Sequence, residues 1–167
     1  MAKKKVNARE FISQIEKMTR SRMAAGDVVS LDNFRDFKKK IDPPTILVID
    51  DEESMRASMK RIFEQESYIV KLAADATELS KVLDEVTPDL ILMDVGLPWL
   101  NGFELGLMLK EHKDLKKIPL VFVSGKTSEE DVKKAFEIGA DDYIKKPFEI
   151  DKLKKTVQTL LKINKPI

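Results

Sequence analysis

The chain has 167 residues, 43% of them apolar, enough for one domain of ordinary size plus an appendage, and no run approaches the length of a membrane span. It has no cysteine, which excludes disulfides and thiolate metal sites, and its single histidine leaves little scope for imidazole chemistry. The net charge of +1 divides unevenly: residues 1–43 hold 11 Lys/Arg against 6 Asp/Glu (+5), and residues 44–167 hold 19 against 23 (−4).

In chain order, the basic start "MAKKK" precedes Val6 to Ile12, which is no apolar signal core, so no secretory leader is expected and the cytoplasm is the expected location. Phe11, Ile12, Ile15 and Met18 recur at helical spacing, with Gly26 as a stop. Ser30 then caps a second short helix bearing Leu31, Phe34 and Phe37. The basic residues of this region are interleaved with apolar ones, which suits solvated helix faces better than a nucleic-acid-binding tail. Residues 1–43 therefore read as an N-terminal basic, amphipathic helical extension and linker. Its apolar stripes are too small to form a core alone. The boundary falls in "KKKIDPPT", where Pro43 and Pro44 disfavour helix and an apolar run follows at once.

Residues 44–167 alternate between two periods. "TILVID", "IVKLA", "LILMD", "PLVFVS" and "DYIKK" are short β-type runs. Each precedes a stretch at helical spacing: Met55–Phe63, Thr77–Val86, Phe103–Lys110, Val132–Ile138 and Leu153–Leu161. Such alternation predicts an α/β domain, a parallel five-stranded sheet covered on both faces. His112, in "LKEHKDLKK", reads as a surface helix residue.

In open parallel sheets, function gathers beyond the carboxyl ends of the strands. There the first strand ends in Asp50-Asp51, the third in Asp94, the fourth in Ser124-Gly125 and the fifth in Lys145-Lys146-Pro147. Clustered carboxylates repel one another, and a hard divalent cation bound by oxygens relieves the repulsion. Mg²⁺ suits a site of two or three carboxylates because it keeps waters and accepts a phosphate. A carboxylate can also attack phosphorus to give an acyl phosphate. In that chemistry Asp94 is the nucleophile, Lys146 pairs with the phosphoryl oxygens and Ser124 donates a hydrogen bond to them. "SGKT" is no Walker A loop, since Leu120 stands where its first glycine should be, and there is no G-x-G-x-x-G.

"ILVIDDEESMR", "PDLILMDVGLPWLNGFEL", "PLVFVSGK" and "GADDYIKKPF" closely resemble the receiver domain of bacterial two-component response regulators, of the chemotaxis-Y type, over Thr45 to about Leu161. The resemblance implies a flavodoxin-like, doubly wound (βα)5 fold. It implies that Asp94 is the phosphoacceptor and also a Mg²⁺ ligand, that Asp51 binds Mg²⁺ directly and Asp50 through water, and that the Gly96 carbonyl completes the protein's share of the metal site. Ser124 and Lys146 match the family's switch hydroxyl and lysine. Tyr143 matches its switch aromatic, which turns inward when the hydroxyl moves toward the phosphoryl group. The Lys146–Pro147 bond is expected to be cis. Trp99 departs from the usual small residue of the loop after Asp94 and places a large exposed aromatic near the site, either packing on a neighbouring helix or meeting a partner.

The first functional expectation is a phosphorylation-controlled signalling module rather than a turnover enzyme. It takes a phosphoryl group from a sensor histidine kinase or phosphotransfer protein, catalyses its own transfer and dephosphorylation, and signals by protein contacts to an output partner that the sequence does not name. Few residues follow the last helix, so no C-terminal output domain and no direct DNA binding are expected. Residues 6–41 are expected to dock on the receiver, on a second protomer in a homodimer, or on a partner. Two alternatives stay open: a Mg²⁺-dependent phosphohydrolase working through an aspartyl phosphate, and a structural interaction module that is never phosphorylated.

Overall fold

Strands that must be covered on both faces read as unbroken apolar runs, and three runs of that kind form the middle of the sheet. In this computed structural model, β1 (Thr45–Ile49), β3 (Leu90–Met93) and β4 (Leu120–Ser124) are buried at every position. The edge strands β2 (Ile69–Ala73) and β5 (Asp142–Lys145) mix buried and exposed positions. All pairings are parallel, in the order β2-β1-β3-β4-β5. The helices between and after them are α1 (Glu53–Gln65), α2 (Ala76–Glu85), α3 (Gly102–Glu111), α4 (Glu129–Glu137) and α5 (Ile150–Ile163).

Successive strand side chains point to opposite faces, and the core divides accordingly. Leu47, Ile49, Ile91, Met93, Leu120 and Phe122 pack with residues of α2, α3 and α4. Ile46, Val48, Leu90, Leu92, Val121 and Val123 pack with residues of α1 and α5. Asp75, Asn101 and Ser128 cap α2, α3 and α4 by accepting a backbone N–H of the first turn. Gly139 ends α4 at φ +102°, a left-handed conformation that glycine adopts without strain.

The chain divides into two compact units, Met1–Pro43 and Pro44–Ile167. The structure describes residues 13–17, 20 and 43–164. Residues 13–17 are helical and overlap the predicted first helix. Its flanking Phe11, Ile12, Met18 and Gly26, and the second helix from Ser30 through Phe37, lie outside the described residues. Among the described residues no helix is long and apolar enough to cross a membrane.

Two sequence expectations need correction. His112 lies just beyond α3, as its C-cap at φ −70° and ψ 128°. Its carbonyl accepts from Leu115 and Lys116 as the chain turns, and its Nδ1 accepts the Asp114 N–H at 3.2 Å. Trp99 is half-buried rather than exposed, which favours the packing alternative, because its indole Nε1 donates to the Ala74 carbonyl at 3.0 Å and its ring packs on the core.

Candidate functional site

The sheet order reverses at β1. From there the chain runs outward to β2 and then returns to β3 on the other side, which opens a crevice at the carboxyl ends of β1 and β3. Ile49 stands opposite Met93 in the register, so Asp50 and Asp94 leave the sheet at the same level. Carboxylate oxygens of Asp50, Asp51 and Asp94 all lie within 4.8 Å of one another. Lys146, just after β5, reaches across the edge. Its Nζ donates to Asp50 Oδ2 at 2.9 Å and to Asp94 Oδ2 at 3.5 Å. The Lys146–Pro147 bond is cis.

These groups differ in how far they meet water. Asp50 is only 3% exposed, Asp94 is half-buried and Asp51 is exposed. Asp50 Oδ1 accepts the Glu52 N–H at 2.9 Å, and the Asp50 carbonyl accepts from the Arg56 guanidinium at 2.8 Å. Asp94 Oδ1 accepts the Gly96 N–H at 3.2 Å. Ser124 is buried at the end of β4, where its Oγ accepts the Lys126 N–H at 3.2 Å. Tyr143 lies inward, 8% exposed, with its ring beside Phe122 and its hydroxyl donating to the Lys126 carbonyl. Sequence reasoning passed over Arg56 and Gly102. A Cβ on Gly102 would lie 2.4 Å from the Asp94 carbonyl oxygen, so only glycine fits at the start of α3. A glycine directly after a good N-cap residue was the available signal.

Burial raises the Asp50 carboxyl above its ordinary 3.8, against the opposing hydrogen bonds from Glu52 and Lys146. Burial also acts to lower Lys146, but its hydrogen bond to Asp50 and the charges of Asp50 and Asp94 outweigh that and hold it above 10.5. The ammonium is therefore charged at neutral pH. Burial likewise raises the Tyr143 phenol above 10.0, so its hydroxyl keeps the proton it donates.

Three carboxylates faced by one ammonium leave a net negative, oxygen-only pocket. Hard donors in this number fit Mg²⁺, with room for waters and a phosphate oxygen. A proton on Asp50 competes with any such cation. Because folding raises the Asp50 pKa, the folded chain holds that proton more tightly than the unfolded one between 3.8 and the raised value. Mg²⁺ affinity, measured by calorimetry, is expected to fall as the pH drops through the raised value. The Asp50→Asn variant, weaker at neutral pH, should show a flatter profile over the same window.

An acidic pocket at the switch point of a doubly wound parallel sheet, with a lysine brought in from just after the last strand, marks an α/β protein whose site suits a divalent cation and a phosphoryl group. Residues 46–158 match the family model described as the response regulator receiver domain, and the chain belongs to that family. It is 41% identical over 105 residues to the aerobic respiration control protein ArcA of Escherichia coli K12, an alignment covering 63% of this chain and 43% of that protein. It is 37% identical over 117 residues to the alkaline phosphatase synthesis transcriptional regulatory protein PhoP of Bacillus subtilis, covering 70% of this chain and 48% of that one. The chain thus spans about half the length of these relatives. Among solved structures, the signal receiver domain of a signal transduction histidine kinase from Syntrophus aciditrophicus superposes with a TM-score of 0.68 at 31% identity, covering 74% of this chain and 94% of that one.

Proposed function

We propose that this receiver accepts a phosphoryl group on Asp94 from a histidine kinase or phosphotransfer protein and passes the signal on through protein contacts. The observation that carries this is the juxtaposition of the three carboxylates with the Lys146 ammonium at the crevice between β1 and β3. Asp94 Oδ is the attacking atom. It is the half-buried carboxylate of the three, held by the Gly96 N–H and within reach of Lys146. Asp51, Asp94 and the Gly96 carbonyl would hold Mg²⁺, with Asp50 acting through water, and the ion when bound neutralises charge on the phosphoryl oxygens. Lys146 shares its proton donors between Asp50 and the incoming phosphoryl group. Ser124 Oγ accepts from Lys126, and its hydroxyl, which also bonds the Tyr143 side chain, would turn toward the new oxygens.

Phosphorylation replaces one carboxylate charge by roughly −1.5 to −2. The response runs through Lys126, whose N–H bonds Ser124 and whose carbonyl takes the Tyr143 hydroxyl. A movement of Ser124 is therefore felt at Tyr143, and a few kcal/mol suffices to shift such a two-state element. The inward position of Tyr143 is the one associated with the phosphorylated form in the sequence reading. The chain catalyses its own transfer and dephosphorylation through these same groups. Docking of residues 6–41 through the apolar stripes of their sequence would make them resist limited proteolysis in at least one oligomeric or phosphorylation state.

The test is incubation with acetyl phosphate and Mg²⁺. One phosphoryl group per chain, released by hydroxylamine as an acyl phosphate, is expected. Steady turnover of a phosphoester such as p-nitrophenyl phosphate would instead favour a phosphohydrolase.

A further inference from the structure

The loop between β3 and α3 carries both Asp94 and Gly96, so its geometry sets the geometry of the site. It is fixed at its base by the Gly102 N–H, which donates to the Val95 carbonyl at 2.9 Å, and by the close approach of Gly102 to the Asp94 backbone. On its far side Leu97 and Leu100 pack on the core, and Trp99 adds a hydrogen bond to a distant turn. The Trp99 indole N–H donates to the Ala74 carbonyl at 3.0 Å, across 25 residues of sequence, while the ring packs on the core.

What Trp99 grips is itself held. The Ala74 N–H donates to Glu78 Oε2 at 2.7 Å, and Asp75 caps the same turn of α2 by accepting the Glu78 N–H at 2.9 Å. One residue earlier, the Ala73 carbonyl accepts the Asp50 N–H at 3.2 Å. The β2–α2 turn thus touches the Asp50 backbone on one side and the Asp94 loop, through Trp99, on the other. That makes it a brace between the two loops supplying the carboxylates.

We propose that Trp99 is a positioning residue: its ring and N–H lock the Asp94–Gly96 loop against the β2–α2 turn and preset the spacing of the Asp50, Asp94 and Gly96 oxygens for a divalent cation. This rests on the reading of the site as a Mg²⁺-dependent phosphoacceptor. The indole touches no reacting atom; it acts through the loop. Groups that orient the ligands of a metal typically alter affinity by about tenfold or more when removed.

The experiment compares wild type, Trp99→Phe and Trp99→Ala. Mg²⁺ binding is followed by calorimetry, the acetyl-phosphate labelling rate by intact mass, and folding by circular dichroism. For Trp99→Ala, a Mg²⁺ Kd raised by about tenfold, the equivalent of about 1.4 kcal/mol, is expected with the fold retained. Trp99→Phe, which keeps a ring but loses the N–H, should fall between the two. As Trp99 is the only tryptophan, wild-type emission should also change with Mg²⁺ and saturate at the calorimetric Kd, a readout that does not depend on the variants folding. Wild-type affinity and labelling rate in both variants would overturn the proposal, as would an indole emission indifferent to Mg²⁺ that calorimetry shows to be bound. If wild type binds Mg²⁺ but is never labelled, the phosphoacceptor reading fails, and the Mg²⁺ titrations still decide the role of Trp99.

Discussion

Replacing Lys146 by methionine is expected to lower the stability of the Mg²⁺-free protein by about 3 kcal/mol, the usual scale for removing one partner of a buried ion pair. The Lys146 side chain is 17% exposed, and those of its partners Asp50 and Asp94 are 5% and 15% exposed. Without the ammonium, a buried carboxylate already raised by desolvation loses its nearest positive charge and faces two others of its own sign. Methionine matches the length and packing of the lysine stem, so the loss would be electrostatic. The variant should lose roughly 10 °C in melting temperature. Mg²⁺ supplies the same kind of charge to the same oxygens, so it should stabilise Lys146→Met more than wild type, by mass action on the folded form. Equal melting temperatures without Mg²⁺ would mean that solvent, not Lys146, balances the cluster.

Gly102→Ala is expected to cost about 3 kcal/mol, at the upper end of what overpacking usually does. The added Cβ would meet the Asp94 carbonyl oxygen at 2.4 Å, the Val95 Cα at 2.6 Å and the Val95 carbonyl oxygen at 2.8 Å. All three are backbone atoms, so no rotamer change relieves the clash. Either α3 moves off the end of β3, breaking the Gly102 bond to Val95, or the Asp94 peptide shifts. Labelling of Asp94 should therefore fall along with stability. The other glycines give internal controls. At Gly106 the closest atoms, the Phe122 ring tip at 2.8 Å and the Ile138 Cδ1 at 3.1 Å, belong to side chains rather than backbone, so a smaller loss than at Gly102 is expected even though Phe122 is buried. At Gly96 the nearest atoms are the Asp94 carboxylate oxygens at 4.0 Å, so alanine should be accommodated. Urea unfolding of the three alanine variants tests that ranking, and an unaffected Gly102→Ala would refute the close-approach explanation.

The sheet could be read from the sequence because unbroken apolar runs such as "LILM" have few places to lie except in a doubly covered strand. The site was legible for a related reason. An ionisable residue directly after such a run must emerge at the sheet edge, and β1 and β3 both did this at the same end. What could not be read depends on contacts distant in sequence or on space rather than pattern. Trp99 was left open between packing and partner contact because nothing local shows that a carbonyl 25 residues earlier waits for its N–H. The importance of Gly102 lies in the room it leaves for the Asp94 backbone, which a sequence pattern does not encode. Arg56 braces Asp50 through a carbonyl, and backbone acceptors carry no residue identity to search for. His112 was placed in α3 because its surroundings are helix-forming, whereas the turn that uses its carbonyl ends the helix one residue earlier.

The central claim is that Asp94 is a phosphoacceptor. It is tested most directly by intact-protein mass spectrometry after incubation with acetyl phosphate, with and without Mg²⁺, on wild type and Asp94→Asn. The prediction is a gain of one phosphoryl mass in wild type that requires Mg²⁺ and is absent from Asp94→Asn. No gain under any condition, with Mg²⁺ binding intact, or an equal gain in the variant, would contradict it.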